Sequence, residues 1–265
     1  MTTTARIGGA DLSYDVAGDG PALLLLHAFP LGLSMWDPQA SAFAATHQVI
    51  RFDARGFGGS PPGDGLLTME RIADDGVLLL DHLGVSRAVV CGLSMGGYAA
   101  FALVRRHADR LKALVLADTR AGADGDPARA ARAAQADKVR KEGSAAIADA
   151  VLPKLVGETT HKQRPELLAR LREAIARNPP RGIADALAGL AARADSRPTL
   201  REIRVPTLIV CGAEDAITPV AESEAMASGI AGSRLEVVPQ AGHLSSLENP
   251  EAWNGVVGKF LKGIG

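Results

Sequence analysis

The chain has 265 residues, 47% of them hydrophobic, and a formal net charge of −1. That length holds one large α/β domain with an insertion, or two small domains, and the hydrophobic share is enough for a core. The charge balance argues against nucleic acid or an anionic membrane as the main partner, and no apolar run approaches the roughly 20 residues that span a bilayer. Met1-Thr2-Thr3-Thr4-Ala5-Arg6 lacks the apolar stretch of a signal peptide, so a cytoplasmic location is expected. Cys91 and Cys211 are too few for a disulfide framework.

Asp11 to Val16 alternates apolar and polar residues, which suits a half-buried edge strand. After the Gly18-Asp19-Gly20-Pro21 turn, Ala22 to Leu26 is a continuous aliphatic run. It reads as a strand buried on both faces of a parallel sheet, ending in His27-Ala28-Phe29-Pro30. Trp36 to Ala45 reads as a helix. Gln48 to Phe52 is a second buried strand, leading into the glycine-rich loop Asp53 to Ser60. Thr68 is positioned to cap a helix running to Leu83, with Met69, Ile72, Ala73, Val77 and Leu80 at helical spacing.

Ala88-Val89-Val90-Cys91-Gly92-Leu93-Ser94-Met95-Gly96-Gly97 then joins an apolar run to a small-residue turn with one serine at its tip. An alanine-rich helical segment, Tyr98 to His107, follows. Strand, sharp turn and helix are the context that a G-x-S-x-G elbow requires. A nucleophile on so tight a turn needs neighbours two residues away with almost no side chain, and Gly92 and Gly96 supply them. The turn also aims the Met95 amide outward at a helix N-terminus, where free N–H groups and the dipole favour negative charge.

Leu111 to Ala117 is a further strand, after which the alternation stops. Residues 121 to 200 hold helical stretches near 127–142, 144–156, 165–177 and 182–194, punctuated by Pro153, Pro165, Pro179, Pro180 and Pro198. This span has 14 Lys/Arg against 10 Asp/Glu, a net of +4, and no Phe, Tyr or Trp. It reads as a small helical cap over 121–198, set into a core made of 1–120 and 199–265, with an aliphatic, alanine-rich wall over Ser94. Alternation resumes at Thr207 to Val210, followed by a helix at Val220 to Ala227, a strand at Leu235 to Val238 and a last helix from Pro250 to Leu261. Strands alternating with helices imply a mostly parallel sheet covered on both faces, with ligands at the carboxyl ends of its strands.

Serine needs a base to take its proton, and the base needs a partner that fixes its tautomer. Two loops at strand ends offer candidates: Asp215 after the strand ending at Cys211, and His243 after the strand ending at Val238. The order Ser94, Asp215, His243 suits an α/β hydrolase. Asp118, which ends the strand before the cap, is the alternative partner for His243. Asp53 and Arg55 are expected to fix loops through an ion pair. No His/Cys/Asp/Glu cluster has metal spacing, and the Gly92–Gly97 loop lacks the lysine of a phosphate loop.

The chain resembles the α/β-hydrolase superfamily, and within it the bacterial carboxylesterase and 3-oxoadipate enol-lactonase-like group. Leu23 to Pro30, Phe52 to Ser60, Gly92 to Gly97, Cys211 to Pro219 and Gln240 to His243 carry the resemblance, in family order. The resemblance implies an eight-stranded, mostly parallel sheet with one antiparallel strand, helices on both faces, a helical cap after the sixth strand, and no cofactor. It also implies an oxyanion hole formed by the backbone amides of Phe29 and Met95. Relatives have glycine where Ala28 stands, so the hole is expected intact but reshaped, provided Ala28 keeps a negative φ. One strand separates those of Cys91 and Cys211 in the family topology. Two strand spacings, roughly 9.6 Å, exceed disulfide reach.

The expected activity is hydrolysis of carboxylic esters of small to medium acyl length through an acyl-enzyme. The alternatives are an enol-lactonase, a cofactor-free perhydrolase of the haloperoxidase type, or a slow-turnover ligand-binding receptor. The aspartate that haloalkane dehalogenases carry at the Ser94 position argues against that chemistry. Phe29, Met95 and Leu244 are expected to line the pocket. His27 is expected to hold loop geometry through a hydrogen bond, with contact to substrate as the alternative; Arg120 is expected to be structural or, as the one obvious cation, to bind a lactone carboxylate. The expected partner is a small ester or lactone, and the protein is expected as a monomer or small homo-oligomer.

Overall fold

A computed structural model describes residues 2–264. Its strands are β1 (Thr3–Ile7), β2 (Ala10–Ala17), β3 (Ala22–Leu26), β4 (Gln48–Phe52), β5 (Ala88–Leu93), β6 (Leu111–Ala117), β7 (Thr207–Gly212) and β8 (Arg234–Val238). They form one eight-stranded sheet in the order β1-β2-β4-β3-β5-β6-β7-β8. β2 runs antiparallel to both of its neighbours, and every other pairing is parallel. The edge position expected for Asp11–Val16 belongs instead to β1, in which only Ile7 is buried. A strand with so little apolar alternation leaves no period to read.

The uninterrupted aliphatic runs divide between two cores, as strands covered on both faces must. Leu24 and Leu26 of β3 pack with Val90, Leu114 and Leu116 on one side of the sheet. Leu23 and Leu25 pack with Val89, Val115, Trp36 and Trp253 on the other. Each fully buried aliphatic side chain contributes about 2 kcal/mol, so the alternation within five residues fixes β3 as a central strand.

The helices are α1 (Asp37–Phe43), α2 (Met69–His82), α3 (Met95–Arg106), α4 (Asp126–Glu142), α5 (Ser144–Leu155), α6 (Glu158–Gln163), α7 (Pro165–Ala176), α8 (Pro180–Ala191), α9 (Val220–Gly229), α10 (Ser245–Glu248) and α11 (Pro250–Lys262). Thr68 caps α2, its Oγ1 accepting the Arg71 N–H at 3.2 Å. The helices α4 to α8 all lie between β6 and β7, with α4 packed on α8 and α5 on α7. Pro153 lies inside the last turn of α5 rather than ending the helix. The short α6 and α10 have too few residues to show a helical period in the sequence.

Specific contacts tie the inserted helices to the core. Asn178, after α7, donates to the Pro30 carbonyl at 2.8 Å and accepts from the Gly58 N–H at 2.9 Å. Glu214, beside the end of β7, accepts from the Thr159 N–H at 2.8 Å and from its hydroxyl at 2.5 Å. Gly56 meets Gly182 at the foot of α8. A Cβ added to Gly182 would lie 2.1 Å from the Gly56 carbonyl oxygen, so the two backbones touch only because neither has a side chain. Among the described residues, no helix is long and apolar enough to cross a membrane.

Candidate active site

β5 is buried along its whole length and delivers Ser94 to the carboxyl edge of the sheet. Ser94 has φ 54° and ψ −110°, an unfavourable conformation of the kind that costs about 1–3 kcal/mol and needs support from its surroundings. Gly92 and Gly96 provide it through close approach. A Cβ at Gly92 would lie 2.2 Å from the Gly96 carbonyl oxygen, and one at Gly96 would lie 2.1 Å from that of Leu26. The Ser94 N–H donates to the Ala117 carbonyl at 2.9 Å, and the Thr119 hydroxyl donates to the Ser94 carbonyl at 3.0 Å.

The structure brings Ser94, His243 and Asp215 together from three strand ends. His243 Nε2 lies 2.8 Å from Ser94 Oγ, and its Nδ1 lies 2.8 Å from Asp215 Oδ2. All three residues are buried. An ionised Asp215 accepts the Nδ1 proton and so leaves Nε2 free to accept from Ser94. The Asp215 carboxylate also accepts the Ile217 N–H (2.8 Å), the Thr218 N–H (2.9 Å) and the Thr218 hydroxyl (2.7 Å). Burial pushes this carboxyl up, but the charge of His243 and the hydrogen bonds from His243 and Thr218 outweigh it and hold the group below its ordinary range.

Asp118, the alternative partner, makes no contact with the imidazole. Its Oδ1 accepts the Gly212 N–H at 2.8 Å, and its Oδ2 pairs with the Ser245 hydroxyl. Burial first, and the nearby Asp215 charge second, push Asp118 well above its ordinary range.

Phe29 follows β3 and Met95 opens α3, and both border the cavity that holds Ser94 and His243. Neither amide donates a hydrogen bond to another described residue. Ala28 is fully buried and stays outside the left-handed region, so its methyl group brings no backbone strain.

Three residues expected at the substrate lie elsewhere. His27 is buried below the cavity, with Nε2 accepting the Ala54 N–H at 3.0 Å and Nδ1 at 3.0 Å from the Ala28 carbonyl, so both nitrogens are committed to loop geometry. Arg120 pairs with Asp124 at 2.8 Å and borders a different cavity, between the ends of the insertion and α9. Leu244 points into the core and its N–H donates to Glu248 at 3.0 Å. Asp53 and Arg55 do fix loops, but separately. Asp53 accepts the Leu33 and Gly59 N–H groups, whereas Arg55 pairs with Asp75. Cys91 and Cys211 are free and buried, with β6 between their strands.

The cavity over Ser94 has a volume of about 240 Å³. Its core side is Phe29, Pro30, Met95, Tyr98 and Ile217. The inserted helices add Ala150, Val151, Leu155 and Leu190, but also Arg132, Gln135 and Lys154, which corrects the expectation of a purely aliphatic wall. Arg132 and Gln135 stand three apart on α4 and so share one face, a spacing visible in the sequence once that face is known to look inward. The buried carboxylate of Asp124 gathers Arg120, Arg132 and Arg193, and Arg193 in turn lies over the Tyr98 ring at 4.2 Å. One acid among three arginines leaves the neighbourhood positive. Lys154 has no ion pair within 4.0 Å among the described residues. No group of three or more described His, Cys, Asp or Glu residues is placed to hold a metal ion.

Comparison with known proteins agrees with this fold. A family profile described as alpha/beta hydrolase fold matches residues 21–250. 3-Oxoadipate enol-lactonase 2 of Acinetobacter baylyi is 33% identical over 95% of this chain and 93% of its own length. A thermophilic esterase from Thermogutta terrifontis, solved with malate bound, superposes with a TM-score of 0.96 at 39% identity, covering 100% of this chain and 99% of that one. The enol-lactonase from Burkholderia xenovorans gives 0.92 at 34% identity, covering 98% of this chain and 100% of that one. With sheet order, inserted helices and sequence all in agreement, the chain belongs to the α/β-hydrolase family.

Proposed function

We propose that this protein hydrolyses carboxylic esters of small to medium acyl length through an acyl-enzyme on Ser94. The observation that carries the reading is the unbroken path from Ser94 Oγ through His243 to Asp215, each link 2.8 Å, at the floor of a cavity. His243 Nε2 takes the Ser94 proton as Oγ attacks the ester carbonyl carbon. The carbonyl oxygen gains the electron pair and is held by the Phe29 and Met95 amides. Collapse of this intermediate breaks the C–O bond, and His243 gives its proton to the departing alcohol. Water then repeats the sequence on the acyl-enzyme, releasing the acid and restoring Ser94. Asp215 stays ionised throughout and stabilises the imidazolium. Each oxyanion donor is worth about 100- to 1,000-fold in rate.

A volume of about 240 Å³ falls below the roughly 300–1,000 Å³ of pockets for drug-sized ligands, which supports short acyl chains. A p-nitrophenyl ester series tests this: turnover should peak at short to medium chains. Fastest turnover at a dozen or more carbons contradicts the assignment.

The cations in the cavity wall favour a second reading, a lactone that carries a carboxylate. Lys154, which has no ion pair among the described residues, and Arg132, paired with Asp124, both border the cavity. Enol-lactonases are also among the relatives. The chemistry is the same, with ring oxygen in place of the leaving alcohol. Parallel kinetics on a neutral ester and an anionic lactone rank the two readings by their kcat/KM values.

A further inference from the structure

The relay is assembled from three loops that never meet in sequence, and one tripeptide touches the supports of all three. Ala117, at the end of β6, accepts the Ser94 N–H through its carbonyl at 2.9 Å. Thr119 donates its hydroxyl to the Ser94 carbonyl at 3.0 Å. Between them, Asp118 sends its carboxyl the other way. Oδ1 takes the Gly212 N–H at 2.8 Å, three residues before Asp215, and Oδ2 pairs with the hydroxyl of Ser245, two residues after His243. The Asp118 backbone N–H also donates to Val210 at 2.9 Å.

Asp118 reaches this position with φ 43°, in the left-handed region that L-residues other than asparagine and aspartate seldom enter. Its side chain is wholly buried, and among the described residues it makes no ion pair within 4.0 Å. A hydrogen-bonded turn alone would be met by asparagine, glycine or a water. The distinctive feature is a single carboxyl that spans the two loops holding the base and its acid.

We infer that Asp118 is a positioning residue for acyl transfer: its carboxyl clamps the loop before Asp215 to the segment after His243, while Ala117 and Thr119 grip the Ser94 turn from the same short stretch. Burial, and the neighbouring charges of Asp215 and Glu248, push this carboxyl well above its ordinary range, which favours the protonated form.

This inference rests on the reading of Ser94 as nucleophile, and the experiment separates the two. Ester hydrolysis is measured for wild type, Ser94→Ala, Asp118→Ala, Asp118→Asn and Ser245→Ala, with active sites counted by fluorophosphonate titration. If Ser94→Ala stays active, the reading of the nucleophile fails, whatever the other variants do. If Ser94→Ala is dead, the clamp is judged on its own. Asp118→Ala should lower kcat about 30-fold with KM nearly unchanged, since displacement of about 1 Å in a relay costs up to about 100-fold. Asp118→Asn, uncharged and able to accept from Gly212 and donate to Ser245, should recover at least about tenfold of that loss. Wild-type kcat in Asp118→Ala overturns the inference, as does an Asn variant no better than the alanine variant. Should Asp118→Ala fail to fold, Ser245→Ala decides: a several-fold fall in kcat at unchanged melting temperature supports the clamp, and full activity overturns it.

Discussion

The floor and the wall of the candidate site are built on different terms. The floor consists of strand-end loops from β3, β5, β6, β7 and β8, and its polar side chains are buried and hydrogen-bonded across those loops. Ser94 meets His243, His243 meets Asp215, and Asp118 meets Gly212 and Ser245. The wall comes from the inserted helices, where Ala150, Val151, Leu155 and Leu190 share the surface with Arg132, Gln135 and Lys154. A displaced group on the floor has nowhere else to bond, so the floor tolerates little change. On the proposed function, the difference assigns chemistry to one region and selectivity to the other.

Substitution on the floor should separate the regions most sharply. Ser94→Ala and His243→Ala should each lower kcat by about a million-fold, because members of such a relay act as a unit, and Asp215→Ala by about ten-thousand-fold. Steady-state kinetics on a p-nitrophenyl ester, with a matching far-UV spectrum, checks this. One tenth of wild-type activity in either of the first two variants would remove the distinction.

The next effect lies at the seam. Asn178→Ala strips the partners from the Gly58 N–H and the Pro30 carbonyl, at a cost of about 1–3 kcal/mol. For a chain of this size that lowers the melting temperature by roughly 3–8 °C. Since Pro30 borders the cavity, kcat/KM should fall in the same variant. An unchanged melting temperature would mean that wall and floor are joined elsewhere.

On the wall, Lys154→Gln should raise KM for a carboxylate-bearing lactone about tenfold, the worth of one charge-assisted hydrogen bond, and leave KM for a neutral ester unchanged. Equal effects on both substrates would deny the wall a role in charge selection.

The smallest effect concerns pH and the floor's support. Burial lowers the His27 pKa below its ordinary 6.5, against the Ala28 hydrogen bond and the Asp53 charge, which raise it. The unfolded chain therefore takes up a proton near pH 6.5 that the folded chain refuses, and stability falls as pH drops below that value. The slope is at most about 1.4 kcal/mol per pH unit for one proton. Urea titrations of wild type and His27→Gln between pH 7 and 5 should show a steeper fall in wild type. Asp118 titrates in the opposite sense, losing stability as pH rises from 3.8, and it cancels in that difference. Parallel curves would place the proton uptake elsewhere.

The same contrast explains what could be read from the sequence. The floor is legible because its constraints are local: Gly92 and Gly96 bracket Ser94 where an added Cβ would lie 2.2 Å and 2.1 Å from a backbone carbonyl oxygen, and β3 and β5 are unbroken apolar runs. The order of Ser94, Asp215 and His243 then follows from the topology. The wall was not legible, because amphipathic helices rich in alanine show their spacing but not their rotation. In the sequence Arg132 and Lys154 look like solvated cations, and Arg120 stands out only for its position next to the insertion. Leu244 misled for a related reason: adjacency to His243 does not settle which way a loop residue points. β1 was missed because an exposed edge strand lacks an apolar period, and the Asp118 clamp because its partners lie 94 and 127 residues away.

The most direct test of the central claim is the site of covalent labelling. Intact-mass and peptide mass spectrometry after incubation with a fluorophosphonate should show one adduct per chain, on Ser94, with ester hydrolysis lost in proportion and no labelling in His243→Ala. Full hydrolysis by an unlabelled protein, or an adduct on any other residue, would contradict it.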